Sequence, residues 1–173
     1  MTDDVDILKR KLLEHGAIKE GDFVLTSGKH SRFYVDIKDA CTDPEILGLV
    51  ASSMAKRVVS ETISGMELGA VPLVVATSLS SSRKYIIIRK ERKHGTGKLN
   101  IGEIPGGKEV DIIEDVVTTG GSVLKSAHFL RDNGAIVRRA YCVVDREEGG
   151  KELLKENGIE LIPLIRLSEI RKS

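Results

Sequence analysis

Val110-Asp-Ile-Ile-Glu-Asp-Val-Val-Thr-Thr-Gly-Gly-Ser122 runs from an apolar stretch into two adjacent acids, two hydroxyl residues, two glycines and a third hydroxyl that opens a helical pattern. The apolar residues of 110–113 suit a strand buried on both faces, as in parallel sheets. Gly120 and Gly121 let the backbone approach a ligand closely. Free N–H groups of the loop and of the next helix's first turn make an anion site. Thr118, Thr119 and Ser122 add hydroxyl donors. Glu114 and Asp115 would repel a phosphate unless they serve another group, and sugar hydroxyls or a magnesium ion with its waters account for them. The stretch therefore predicts a strand–loop–helix unit that holds a phosphorylated ribose.

Outward from this unit, strands and helices alternate. Upstream, Val5, Leu8, Leu12 and Leu13 mark a helix over 5–15 that Gly16 stops. Short strands are expected at 23–25 and 33–37 around a Ser-Gly-Lys turn. Asp43 followed by Pro44 opens a helix expected to reach about residue 60. A strand at 62–66, a helix at 70–79 and a strand at 85–89 follow. Downstream come a helix at 122–132 closed by Gly134, a strand at 136–144, a helix at 151–157 closed by Gly158, and a last strand at 159–162. Such alternation implies right-handed βαβ crossovers, an α/β class and a mainly parallel sheet. Ligands of these sheets bind at the carboxyl edge. The N-terminal strands stand outside the alternation and are expected to pair with the C-terminal strand as a small cap over that edge.

With 173 residues, 40% of them hydrophobic and none of them Trp, the chain suits one domain whose core is Val, Ile, Leu and Ala. Cys41 and Cys142 lie far apart, with no metal-type spacing, and are expected to be free thiols. Met1 precedes Thr-Asp-Asp rather than an apolar run, so a cytoplasmic enzyme with no membrane segment is expected. Residues 83–98 hold seven of the 27 basic residues and one of the 26 acidic ones, a local field that attracts a polyanion. Residues 91–103 contain three glycines and are expected to form a long lid-like loop. A nucleic-acid patch is disfavoured, because the run's single aromatic, Tyr85, lies in an apolar strand. Gly95-Thr-Gly-Lys98 is not a P-loop, since Arg92 and Leu99 occupy positions that require Gly and Ser or Thr. His15, His30 and His128 have no metal-like partners in sequence.

The 110–122 string resembles the ribose-phosphate motif of the type I phosphoribosyltransferases. Phe23-Val-Leu-Thr-Ser-Gly-Lys-His-Ser-Arg-Phe-Tyr-Val-Asp36 resembles the N-terminal signature of the orotate phosphoribosyltransferase family. Arg89-Lys-Glu-Arg-Lys-His-Gly95 is similar to that family's mobile catalytic loop, and Val144-Asp-Arg-Glu147 to its base-recognition corner. The four motifs span nearly the whole chain in one order.

The resemblance implies a type I phosphoribosyltransferase fold: one domain over 1–173, with a small hood of about 1–40 plus the C-terminal strand and a core of about 41–158. It implies transfer of ribose 5-phosphate from phosphoribosyl pyrophosphate (PRPP) to orotate, with Mg2+ bound mainly through PRPP and no direct protein ligand. By motif, Glu114, Asp115, Val116, Val117, Thr118, Thr119, Gly120, Gly121 and Ser122 hold the ribose and 5′-phosphate. Arg89, Lys90, Lys93 and His94 meet the pyrophosphate, with Lys93, His94 and Asp115 in the catalytic set. Thr118 and Arg146 bind orotate, and Phe33 and Tyr34 flank the base. A homodimer is implied in which the loop over 91–103 completes the neighbouring site. Thr26 and Gly69 stand where many bacterial members carry Lys, and His94 directly follows Lys93, where a residue often intervenes. A PRPP sensor without chemistry is the other class considered. The N-terminal 20 residues are too short for the DNA-binding module such a regulator carries, and the retained Lys93, His94 and Arg146 favour an enzyme. The same chemistry on another base stays open.

Overall fold

The computed structural model describes residues 2–24, 30–90 and 98–170. The N-terminal apolar stripe forms α1 (Thr2–His15), with Leu8 and Leu12 wholly buried. Gly16 ends it at φ 76°, and the N–H groups of Gly16 and Ala17 return to the carbonyls of Leu13 and Leu12. An antiparallel hairpin follows, β1 (Ile18–Val24) and β2 (His30–Val35). β1 begins at Ile18 rather than at 23. The polar residues Lys19 and Glu20 give no strand signal of their own and are drawn in by pairing with Tyr34 and Phe33.

The chain then makes the short helix α2 (Ile37–Ala40), whose N-cap Asp36 accepts from the Asp39 N–H at 3.2 Å. Helix α3 (Pro44–Ala55) starts where the Asp-Pro pair predicts. Asp43 Oδ1 accepts from the N–H groups of Glu45 and Ile46 at 2.7 and 3.4 Å. It stops at Ala55, short of the expected 60, because a distant side chain captures the next residues. The buried Asp111 carboxylate accepts from Val59 N, Ser60 N and Ser60 Oγ at 2.8, 2.9 and 2.8 Å.

The core consists of β3 (Thr62–Met66), α4 (Ala70–Ser81), β4 (Lys84–Ile88), β5 (Asn100–Ile101), β6 (Val110–Val117), α5 (Gly121–Asp132), β7 (Arg139–Asp145), α6 (Gly150–Glu156) and β8 (Glu160–Arg166), followed by α7 (Leu167–Ile170). Six strands form one sheet in the order β5-β4-β3-β6-β7-β8, parallel except for β5. Alternate residues of β6 enter two apolar layers: Ile113 joins Ile63, Leu73 and Tyr141 on one face, and Val110 and Ile112 join Val123, Leu130 and Cys142 on the other. Among the described residues no helix is long and apolar enough to cross a membrane.

The C-terminal strand departs from expectation. β8 does not pair with the N-terminal hairpin; it pairs in parallel with β7 and closes the core sheet, while β1 and β2 form their own two-stranded sheet. The buried Leu161 and Ile165, with Leu164, explain this, since they cover an otherwise open edge of β7. The strand expected from 136 begins at Arg139, with Ile136 making a single bridge to Glu109. The segment expected as one loop over 91–103 contains β5, antiparallel to β4, in its described part; residues 91–97 lie outside the described residues.

Strand order decides where a ligand goes. The chain leaves β3 toward β4 on one side and continues from β6 through β7 to β8 on the other. The β3–β6 boundary is therefore the topological switch point, and its carboxyl end is the expected ligand crevice.

Candidate active site

A crevice of about 350 Å³ opens at that point, lined by Glu67, Gly69, Glu114, Asp115 and Ser122, with Lys38 and Lys90 at its rim. The sequence string of 110–117 folds as one strand, so its last residues carry the two acids to the sheet's carboxyl edge. Both are buried: Glu114 is 7% exposed and Asp115 9%. Asp115 N–H donates to Glu114 Oε1 at 3.1 Å, and Val116 N–H donates to Asp115 Oδ1 at 2.8 Å. Burial beside Asp115 pushes the Glu114 carboxyl up to about 8. A neutral Glu114 spares the crevice one of two adjacent negative charges, which removes much of the repulsion that an anionic ligand would meet.

The loop after β6 is built as the sequence predicts. Gly120 adopts φ 81°, a conformation that suits glycine, and leads into α5, whose N-cap has no side-chain hydrogen bond. The first-turn N–H groups of α5 thus have no competing side-chain cap. The loop rests on Gly150, whose N–H donates to Thr118 O at 3.1 Å. A Cβ on Gly150 would stand 2.6 Å from Thr118 O, so this glycine lets α6 approach the loop, while Gly149 before it adopts φ 91°.

Arg146 follows β7 at the same edge, its N–H donating to Val117 O at 2.9 Å. Its guanidinium is nearly buried and pairs with Glu148 at 2.7 Å. Neighbouring Glu147 has φ 58°, and its carboxylate accepts from Ser168 N and Oγ at 2.7 and 3.0 Å. The start of α7 therefore braces the corner, a link no local pattern signals.

Arg89 and Lys90 follow β4, and Lys90 lines the crevice. Arg89 N–H donates to Leu99 O at 2.8 Å, and Lys90 N–H donates to Glu67 Oε1 at 2.8 Å. Those two bonds fix where the basic segment leaves the sheet. Lys93 and His94 lie outside the described residues. The two expected aromatics part company. Strand alternation sends Phe33 into the core at 3% exposure, whereas Tyr34 is exposed, with its hydroxyl 3.1 Å from Asp36 Oδ2 and its ring 5.7 Å from that of Phe23. The exposed ring at this position is thus Tyr34, and Phe33 serves packing.

Sequence inspection missed Lys38 and Glu67. Lys38 Nζ lies 3.7 Å from Asp115 Oδ2. Both cysteines are free and buried, and burial pushes the Cys41 thiol up to about 12 and that of Cys142 well above its ordinary value. Among the described residues no group of three or more His, Cys, Asp or Glu could hold a metal ion unaided.

A strand–loop–helix anion site with two acids at a switch point defines a class. The family model for the phosphoribosyl transferase domain matches residues 44–161, and the chain is a phosphoribosyltransferase. The orotate phosphoribosyltransferase of Thermoplasma acidophilum is 62% identical over 164 residues, covering 95% of this chain and 96% of its own length. That of Methanocaldococcus jannaschii is 46% identical over 165 residues, covering 94% of each. The crystal structure of the Aeropyrum pernix orotate phosphoribosyltransferase superposes with a TM-score of 0.81 at 35% identity, covering 95% of this chain and 96% of that one. The Mycobacterium tuberculosis enzyme crystallised with PRPP gives 0.79 at 25% identity, covering 97% and 99%. The chain belongs to the orotate phosphoribosyltransferase family.

Proposed function

We infer that the protein transfers the ribose 5-phosphate group of PRPP to orotate, giving orotidine 5′-monophosphate and pyrophosphate in de novo pyrimidine synthesis. One observation supports the assignment of the site: the paired acids, Ser122 of the first turn of α5, and Lys90 line one crevice at the switch point.

The loop over 118–122 and the α5 N-terminus take the 5′-phosphate. Asp115 and Glu114 take the ribose hydroxyls. Breaking the bond at C1 develops positive charge on the sugar, which the Asp115 carboxylate opposes, and negative charge on the departing diphosphate. Arg89 and Lys90, with Lys93 and His94 of the adjoining segment, stabilise that diphosphate. Closure of that segment excludes water, which would otherwise trap the sugar cation. Arg146 and Thr118 orient orotate, with Tyr34 against the base. The crevice fits a magnesium ion that arrives on the diphosphate: its acids can accept from the ion's waters, and the ion neutralises diphosphate charge when bound.

The working form is a homodimer in the cytoplasm. An apolar groove between α3 and α4, lined by Leu47, Val71, Pro72, Val75 and Leu79, adjoins the crevice through Leu68 and Gly69. Leu68 and Leu79 are 75% and 80% exposed, a patch that invites burial. A second copy seated there would lie beside the crevice.

The test is to mix the protein with magnesium, PRPP and a panel of bases and follow each base's absorbance. Orotate is expected to be consumed only with a divalent ion present. Turnover of a purine with orotate untouched overturns the assignment.

A further inference from the structure

We propose that Lys38 is a phosphate-binding residue of this reaction: it neutralises Asp115 in the ligand-free chain and passes to the diphosphate when PRPP binds. The proposal rests on the crevice being the PRPP site. Its geometry sets the order of the ligand. Ser122 and the α5 N-terminus follow β6, Glu67, Gly69 and the α4 N-terminus follow the neighbouring β3, and Asp115 lies against Gly69 between them. With the 5′-phosphate on the loop and the ribose on the acids, the diphosphate falls beside Gly69. α4 adds little there: Pro72 has no N–H and the Val71 N–H already donates to Leu68 O at 3.2 Å.

Gly69 brings no side chain to that end. A Cβ on Gly69 would stand 2.2 Å from Asp115 Oδ2, so any larger residue would displace the acid. The cation has to come from another element. Among the described residues, Lys38 and Lys90 are the lysines that line the crevice. Lys38 is held over it by α2, which Asp36 caps.

The pair with Asp115 is built to exchange. At 3.7 Å it is an ion pair longer than a good hydrogen bond, and the lysine side chain is 60% exposed. A diphosphate offers more charge than one carboxylate and draws the ammonium away. Release of Lys38 frees Asp115 Oδ2 to accept from the ribose hydroxyls, so one movement prepares both halves of the ligand's site.

The test uses Lys38→Gln and Lys38→Arg in the full chain, with pyrophosphate plus magnesium as the calorimetric probe and steady-state kinetics alongside. Lys38→Gln is expected to weaken pyrophosphate binding and raise the PRPP KM by about 5- to 20-fold. The orotate KM should stay within about 2-fold, and Lys38→Arg should recover most of the loss. Wild-type pyrophosphate affinity in Lys38→Gln overturns the proposal. If kcat falls while that affinity holds, Lys38 only positions Asp115. A wild-type protein that binds neither pyrophosphate nor PRPP refutes the assignment of the crevice instead. Unchanged melting of both variants confirms that the comparison is made between folded proteins.

Discussion

Replacing Asp115 with Asn removes one charge from the crevice and little else. Asp115 Oδ1 accepts from Val116 N–H at 2.8 Å, and an amide oxygen can do the same. The amide also keeps the shape that packs against Gly69. Folding should therefore be preserved. What is lost is charge-assisted hydrogen bonding to the ribose hydroxyls, worth roughly 1.5–3 kcal/mol for a bond. That corresponds to a fall in kcat/KM of about 10- to 100-fold. A second effect follows from the neighbour. Burial is the main cause that pushes Glu114 up to about 8, and the Asp115 carboxylate adds to it. In the variant Glu114 should ionise at lower pH, though burial keeps it above the ordinary carboxylate range. The assay is kcat/KM for PRPP from about pH 5 to about pH 9.5, with thermal melting as a fold check. The variant should show both the lower plateau and an earlier change on the alkaline side. Unchanged kinetics in a folded variant would reduce Asp115 to a surface acid, and an unmoved alkaline limb would show that the two carboxyls do not interact.

Arg146→Ala should raise the orotate KM by about 30-fold or more, since losing one partner of a desolvated pair costs roughly 2–5 kcal/mol. PRPP affinity should hold, and equal loss for both substrates would remove Arg146 from base recognition. Mixing the impaired Lys93→Ala and Asp115→Asn proteins should raise activity above that of either alone, because hybrid dimers keep one intact site; subunit exchange without a gain would refute a shared site. Stability should also depend on pH through Glu114. Its carboxyl is raised from the ordinary 4.5 to about 8 in the folded chain, so the folded state holds the proton more tightly. The contribution is fully present below about pH 4.5 and is lost as pH rises through about 8. Asp145, also raised by burial, acts in the same direction. Denaturant melts across that range should show a decline that Glu114→Gln flattens; an equal slope in the variant would refute the assignment.

Local chemistry was enough for much of this molecule. Asp43 with Pro44 announces α3, Gly16 and Gly158 end their helices at positive φ, and the string at 110–122 builds a strand, a loop and a helix in that order. Such features depend on a side chain and its own backbone within a few residues, so they are written in neighbouring letters. The switch-point crevice follows at one remove, because alternation implies a parallel sheet and a parallel sheet has one ligand edge.

Other features depend on partners far along the chain. Asp111 ends α3 across some fifty residues, and nothing near residue 56 signals it. β8 joins the core sheet beside β7, a choice of partner that its own residues do not announce. Phe33 and Tyr34 are adjacent and similar, yet strand pleating buries one and exposes the other. Nothing in the sequence marks Lys38, which α2 brings within 3.7 Å of Asp115, and nothing there shows that the same carboxylate fills the space of the side chain Gly69 lacks. Sequence specified the chemistry of the phosphate loop because backbone conformation is local. Tertiary structure alone chose which charges share the crevice, because electrostatics acts through space and the chain's path sets those distances.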